Sequence, residues 1–275
     1  MKIGLVGNGF VGNAIYQNLK EKYEFLIYDK DPQRSNISSI DKICDSTNII
    51  FIALPTPMQK NGNCDLSIIF NTIKDISKYY NNNILILKST VPPGTCEKIK
   101  EAYPQIRLVF SPEFLTEANS IEDFKNCNRI IFGGDMEDVS ECIKILSSIF
   151  PYKSYFATNW NTAEMVKYFI STFLATKVSF ANEINQMCNL IGISYNEVKD
   201  LALQDKRISE SHLMVPGPDG ELGFGGSCFP KDLCAFINFA KEYGASVNVL
   251  KGAWKTNLEI RSNRDWEKLK GRAIS

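Results

Sequence analysis

Histidine is nearly missing from this chain: His212 is the only one in 275 residues. Eight cysteines occur without a single Cys-x-x-Cys pair, so neither a structural zinc site nor a disulfide framework is indicated. Net charge is absent too, with 31 basic residues against 31 acidic ones. Lys and Arg are scattered, with no basic stripe interleaved with aromatics, which leaves no field to attract nucleic acid or an anionic membrane. No apolar run has the length of a membrane span. The N-terminus enters a strand and a glycine turn directly, without the layout of a signal peptide. These absences predict a reduced, cytoplasmic protein with no bound metal, no nucleic-acid partner and no membrane partner.

What is present is 44 % apolar residues, ample for a core, in a length that suits one large or two medium domains. The first half alternates short buried-strand candidates with helical patterns. Ile3-Gly-Leu-Val6 runs into Gly7-Asn-Gly9-Phe10-Val11-Gly12, and a helix follows to Leu19. The next strand, Glu24 to Tyr28, ends in Asp29. Strand, glycines, helix, strand and acid in that order form the dinucleotide-binding fingerprint, in which the acid meets the adenosine ribose hydroxyls. Asp29 and Asp31, with only Arg34 nearby, favour NAD over NADP, because carboxylates repel a 2′-phosphate.

Further strands are expected at Ile49–Leu54, Asn83–Leu87, Leu108–Phe110 and Arg129–Phe132, with helices between them. This pattern predicts a Rossmann-type parallel sheet over residues 1–155. The Pro/Thr/Gly-rich segments fall after strand ends, where such sheets bind ligands: Pro55-Thr56-Pro57, Lys88-Ser-Thr90-Val-Pro-Pro-Gly-Thr95 and Ser111-Pro-Glu113-Phe114-Leu115-Thr-Glu117. Glu113 and Glu117 would share a face if their segment is helical. Each of these residues, taken singly, suits a structural role better than a functional one.

Tyr152 to Trp160 reads as the crossing to an all-helical domain over 156–275. Asn161-Thr-Ala-Glu164 has capping-box spacing, and a long apolar pattern then runs to about Leu190 as a spine helix. Lys167 and Ser171 lie one turn apart on it, and a lysine inside Met165-Val-Lys-Tyr-Phe-Ile170 requires a partner or a snorkelling path. His212, beside a loop, suits a turn or ligand contact better than a general base. Gly223-Phe-Gly225-Gly226-Ser-Cys228-Phe-Pro-Lys231-Asp232 then places a cysteine at the mouth of a helix, where backbone N–H groups and the dipole stabilise a thiolate. An isolated cysteine of this kind also fits a half-buried structural thiol. The closing Trp266–Ser275 stretch is polar and carries no evident signal.

Together these segments resemble the UDP-glucose/GDP-mannose dehydrogenase family, over essentially the whole chain to about Arg261. The resemblance implies oxidation of a nucleotide-sugar primary alcohol to an acid, using two NAD per sugar, in a homodimer joined through the helical domain. It implies Cys228 as nucleophile, passing through a thiohemiacetal and a thioester. Thr90 and Glu117 would stand beside the reacting centre, Lys167 would support oxyanion character, and Asp232 would orient that lysine and the water. Gly7, Gly9, Phe10, Val11, Gly12, Asp29, Pro55, Thr56, Thr90, Glu117 and Lys231 fall on the cofactor side. Glu113, Phe114, Leu115, Lys167, Arg207, Gly225 and Gly226 fall on the substrate side.

Four features depart from the family pattern. Ser171 stands where the family carries an asparagine oxyanion donor. The connection from Asp31 to the Ile49 strand is short, and Asp219-Gly-Glu-Leu222 is inserted before the Gly223 motif. The family's C-terminal nucleotide-binding domain is not found in these 275 residues. Two other readings remain open: a single-step NAD-dependent alcohol or hydroxy-acid dehydrogenase, and a non-catalytic NAD-binding protein.

Overall fold

Seven short strands, all but the last rich in Ile, Leu, Val and Phe, form one sheet in the computed structural model, which describes residues 1–275. They are β1 (Lys2–Val6), β2 (Glu24–Tyr28), β3 (Ile49–Ile52), β4 (Ile84–Leu87), β5 (Arg107–Phe110), β6 (Arg129–Gly134) and β7 (Ser154–Thr158), in the order β2-β1-β3-β4-β5-β6-β7. Helices α1 (Phe10–Leu19), α2 (Asp41–Ser46), α3 (Ser67–Ser77), α4 (Thr95–Ala102), α5 (Ser120–Asn126) and α6 (Met136–Ser147) connect them. Strands β3 and β4 are buried at every position, as strands covered on both faces must be. Alternate residues feed two apolar clusters: Ile50 and Ile52 join Ile43 and Ile73, while Ile49 and Phe51 join Leu5 and Ile15. Because β1 lies between β2 and β3, the connections diverge there and open a crevice at the carboxyl ends of β1 and β3.

The expected Rossmann-type sheet followed by a long-helix region forms, with two local differences. The sheet is not parallel throughout: β6 runs antiparallel to β5, and β7 runs parallel to β6. The segment from Ser111 to Asn128 carries only the seven-residue α5, and it turns back at one edge of the sheet instead of crossing over. That reversal leaves Ser111–Ala118 at the carboxyl ends of the parallel strands. The stretch read as a crossing between domains also contains β7, which pairs with β6 over five residues. As an edge strand with partly exposed residues it lacks the apolar run that marked the others.

The chain divides into two compact units, Met1–Thr56 with Leu66–Lys167, and Pro57–Asp65 with Tyr168–Ser275. The boundary falls within α7 (Trp160–Ile191). This helix is capped by Asn159, whose Oδ1 accepts the Thr162 N–H at 2.8 Å. The expected capping box of Asn161 and Glu164 is therefore not formed: the helix begins too early for it, and the Glu164 carboxylate is used elsewhere.

The second unit contains α8 (Tyr195–Ala202), α9 (Phe229–Glu242) and α10 (Asn248–Ile260), with the rest of α7. Its apolar clusters are small, one around Cys188, Tyr195 and Leu213, the other around Ala175, Phe224 and Leu233. The closing segment is integrated into this unit. Trp266 is 2 % exposed and its ring centroid lies 5.8 Å from that of Trp254. The Met58 N–H donates to the Ala273 carbonyl and the Ser275 N–H to the Met58 carbonyl, a ladder between segments more than 200 residues apart that no local pattern announces. No helix is long and apolar enough to cross a membrane.

Candidate active site

The glycine turn after β1 is built from three different requirements. Gly7 has φ +91°, and a Cβ there would overlap the Ala53 carbonyl oxygen. Gly12 has no room for a Cβ because the Gly7 carbonyl oxygen occupies the space, which brings α1 close to β1. Gly9 is the opposite case: it is the N-cap of α1, it supplies no side-chain cap, and a Cβ there would have nothing within 4 Å. The start of α1 therefore has no side-chain cap, and no protein atom crowds the Gly9 Cβ position. Asp29, at the end of β2, accepts the Asn8 N–H at 2.6 Å and the Asp31 N–H at 2.9 Å. The carboxylate is thereby fixed beside the turn.

Side chains tie the loops at the carboxyl ends together. Ser89 Oγ accepts the Leu54 N–H at 2.9 Å, and Thr56 Oγ1 donates to the Thr90 carbonyl at 2.7 Å. Pro55 lies between these links. Lys88, buried at the end of β4, donates to Ser111 Oγ at 3.0 Å and to the Pro112 carbonyl at 3.2 Å. Burial brings its pKa down to about 8, with Lys167 adding to the effect and Glu113 opposing it.

Glu113 and Lys167 form a buried ion pair. Lys167 Nζ lies 2.8 Å from Glu113 Oε1, and each side chain is 7 % exposed. The same ammonium donates to the Glu113 carbonyl at 2.9 Å, while Glu113 Oε2 accepts the Leu115 N–H at 2.8 Å. The lysine that looked misplaced in an apolar helix is held by this carboxylate. The segment from Ser111 to Thr116 is irregular, so Glu113 and Glu117 do not share a helical face. Glu117 is exposed, in the turn before α5, and the Phe114 ring lies under the Arg129 guanidinium at 4.9 Å.

In the second unit, Cys228 is the N-cap of α9, with Pro230 in the first turn. The Asp232 N–H donates to the Cys228 carbonyl at 3.0 Å. Lys231 Nζ lies 2.6 Å from Asp232 Oδ1. Burial alone would lower the Lys231 pKa, but Asp232 and then Cys228 outweigh it and raise it. Positive charge therefore sits beside the thiol, together with the N–H groups of the helix. Asp232 is 1 % exposed, and its Oδ2 has no hydrogen-bond partner.

The preceding Gly-rich loop is clamped from outside. The Phe224 N–H donates to Asn257 Oδ1 at 2.7 Å, and the Gly226 N–H reaches the Asp265 carboxylate at 3.0 Å. Gly226 takes φ +74°. Gly225 has no side-chain space, since Asp265 Oδ1 and Arg261 Nη2 would meet its Cβ. Arg261, itself buried, donates to Asp219 Oδ2 at 2.7 Å, so the inserted Asp219–Leu222 loop is bound into this clamp. Ser171 is buried on α7, whereas Arg207 is exposed and paired with Asp205. His212 has φ +66° and packs its ring 5.5 Å from Phe229. Burial, then the Lys177 charge, lowers its pKa and favours the neutral ring.

Residues 32–152 match the NAD binding domain of the UDP-glucose/GDP-mannose dehydrogenase family, and residues 161–259 match its central domain. The chain belongs to the UDP-glucose/GDP-mannose dehydrogenase family. It is 34 % identical over 251 residues to a UDP-glucose 6-dehydrogenase of Rickettsia typhi, a match that covers 88 % of this chain and 56 % of that protein. The UDP-glucose 6-dehydrogenase TuaD of Bacillus subtilis is 33 % identical over 269 residues, covering 94 % and 56 % respectively. The chain thus spans about half the length of the curated relatives it matches. A solved UDP-glucose dehydrogenase from Pyrobaculum islandicum superposes with a TM-score of 0.83 at 27 % identity, over 94 % of this chain and 68 % of that one.

Membership makes NAD the cofactor of the first unit, and the residues present fit it. The open, uncapped N-terminus of α1 suits a pyrophosphate. Asp29 is placed for a ribose hydroxyl pair. Three charged residues that organise these loops were not assigned by the sequence reading: Lys88, Glu164 and Arg261. For Lys88 a signal existed, since a lysine directly after four buried strand residues is committed to burial. Arg261 resembled an ordinary charged helix end.

Proposed function

We propose that the chain oxidises the primary alcohol of a nucleotide sugar, a UDP-hexose such as UDP-glucose, to the uronic acid in two NAD-dependent steps. The observation that carries this reading is the start of α9: Cys228 as N-cap, Lys231 beside it, and Asp232 one turn on with a buried, unpartnered oxygen. A hydride transfer alone needs no such thiol; capture of an aldehyde does. The names of the matched relatives supply the substrate class.

NAD supplies the hydride-accepting chemistry, one cofactor molecule for each two-electron oxidation. In this reading Glu117 and Thr90 manage the alcohol proton, directly or through water. The Cys228 thiolate adds to the aldehyde carbonyl, giving a thiohemiacetal whose oxyanion is supported by Lys167, with the Ser171 hydroxyl as a second donor. The second oxidation leaves a thioester on Cys228. Water attacks it, Asp232 takes the water's proton, and the sulfur departs as thiolate. Glu113, Phe114, Leu115, Arg207, Gly225 and Gly226 hold the sugar nucleotide, and Lys231 serves the cofactor side as well as the thiol.

The partner in this reading is a second copy of the chain. On α7, Phe169, Phe173, Phe180 and Met187 are all more than half exposed at spacings of four, seven and seven, an apolar stripe of coiled-coil period. The chemistry belongs in a reducing cytoplasm, where the thiol stays reduced.

The test is stoichiometry. With a panel of nucleotide sugars, the wild type should release two NADH per sugar and an acid product. Cys228→Ser should stall before the acid. One NADH per sugar with a released aldehyde or ketone would overturn the reading in favour of a single-step oxidation.

A further inference from the structure

Glu164 lies on α7 one turn before Lys167 and is 0 % exposed, yet it faces no cation. Its two oxygens accept backbone N–H groups from the start of α4: Oε2 from Gly94 at 2.7 Å and Oε1 from Cys96 at 2.9 Å. These are among the four donors that a helix N-terminus leaves without intrahelical partners. No local side chain serves them. Gly94, the N-cap, has none, and the Thr95 hydroxyl turns back to the Pro92 carbonyl at 2.6 Å.

The loop from Lys88 to Gly94 is therefore fastened at both ends. At its start, Ser89 Oγ accepts the Leu54 N–H and the Thr90 carbonyl accepts the Thr56 hydroxyl. At its end, Glu164 holds Gly94 and Cys96. Thr90 is itself held at the first fastening, and it is buried. We propose that Glu164 is a positioning residue for Thr90, acting through the Gly94 and Cys96 amides, and that its protonation releases this loop.

The role rests on the reading that Thr90 stands at the reacting centre. The chemistry of the contact explains the release. An ionised carboxylate accepts on both oxygens, whereas a protonated one turns an O–H donor toward an N–H that also donates. Burial brings the Glu164 pKa up to about 7 in spite of the two amide bonds. The titratable groups facing it are Cys96 and Glu97, both on α4. The Cys96 thiol is itself raised well above its ordinary range by burial and by Glu164, so it stays neutral. Glu97 is exposed and accepts from the Asn161 amide, and its charge raises Glu164 further. Across the helix turn, the Lys167 ammonium is engaged with Glu113.

The test follows the Gly94 and Cys96 amide resonances of the full chain by NMR between pH 5.5 and 8.5. Both should shift with one shared midpoint near 7, and the shift should vanish in Glu164→Gln. Amides that do not titrate in the wild type, or that still titrate in Glu164→Gln, would overturn the proposal. The wild-type arm alone decides this point if the variant does not fold. Under turnover with UDP-glucose, Glu164→Gln should lower kcat at least tenfold and lose an acid limb near pH 7. Its NAD Kd should change less than twofold. Amide titration with no sugar-dependent NADH from any nucleotide sugar would uphold the role of Glu164 in the loop and sink the proposed reaction.

Discussion

Lys167 Nζ meets Glu113 twice, at the carboxylate Oε1 and at the backbone carbonyl, 2.8 and 2.9 Å away. Two charges are thereby kept out of water where either one alone would be costly. Glu113→Gln leaves the ammonium without its carboxylate, and it should destabilise the chain by about 3–5 kcal/mol. Adding Lys167→Met should recover a large part of that loss. Denaturant unfolding of the two single variants and the double variant measures the coupling, and simple additivity would show that the pair is not the source.

Glu164 gives the fold a pH dependence of definite sign. Its folded pKa, about 7, lies above the ordinary 4.5. The folded state therefore binds the proton more tightly than the unfolded state does. The resulting stability is complete below pH 4.5 and is lost as pH rises through 7. The loss is about 3 kcal/mol, and Glu164→Gln should remove it. Unfolding curves taken at half-unit intervals from pH 4.5 to 8 check the slope; an identical slope in wild type and variant would refute the assignment.

Two glycines in one turn should respond in opposite ways to alanine. Gly12→Ala drives a Cβ into the Gly7 carbonyl and should lower Tm by several degrees. Gly9→Ala meets no protein atom and should leave Tm nearly unchanged while weakening NAD binding. Thermal melts and fluorescence titrations with NAD separate the two effects. Unaltered NAD affinity in Gly9→Ala would remove the pyrophosphate from this turn.

Asp29 should set the choice of cofactor. Asp29→Asn retains an acceptor for the Asn8 N–H but not the charge, so the turn should persist. NAD affinity should fall about tenfold, equivalent to about 1.4 kcal/mol. The preference for NAD over NADP should narrow, since the repulsion of a 2′-phosphate is gone. Kd values for both cofactors provide the check, and an unchanged ratio would count against Asp29 as the discriminating carboxylate.

Local patterns made much of the first unit legible. The apolar runs of β3 and β4 and the glycine turn between β1 and α1 are each written within a few residues. The long period of α7 was equally plain. What escaped depended on partners distant in sequence. Ser154–Thr158 becomes a strand only through β6, and its exposed residues give no run to detect. Glu164 has the spacing of a cap for its own helix but caps α4 instead, because Asn159 already fills that place. Lys167 could be read as needing a partner, though nothing local named Glu113. The closing residues around Trp266 looked polar because their burial comes from a single large ring and a backbone ladder.

The three tryptophans divide between the units in a way that supplies an optical assay. Trp160 is tied to the Leu108 carbonyl in the first unit, while Trp254 and Trp266 lie ring to ring in the second. Replacing Trp160 with phenylalanine leaves emission that reports the second unit, and replacing the other two leaves emission that reports the first. Whether the units melt together or in succession can then be read as colour and intensity from the chain itself, without an attached dye.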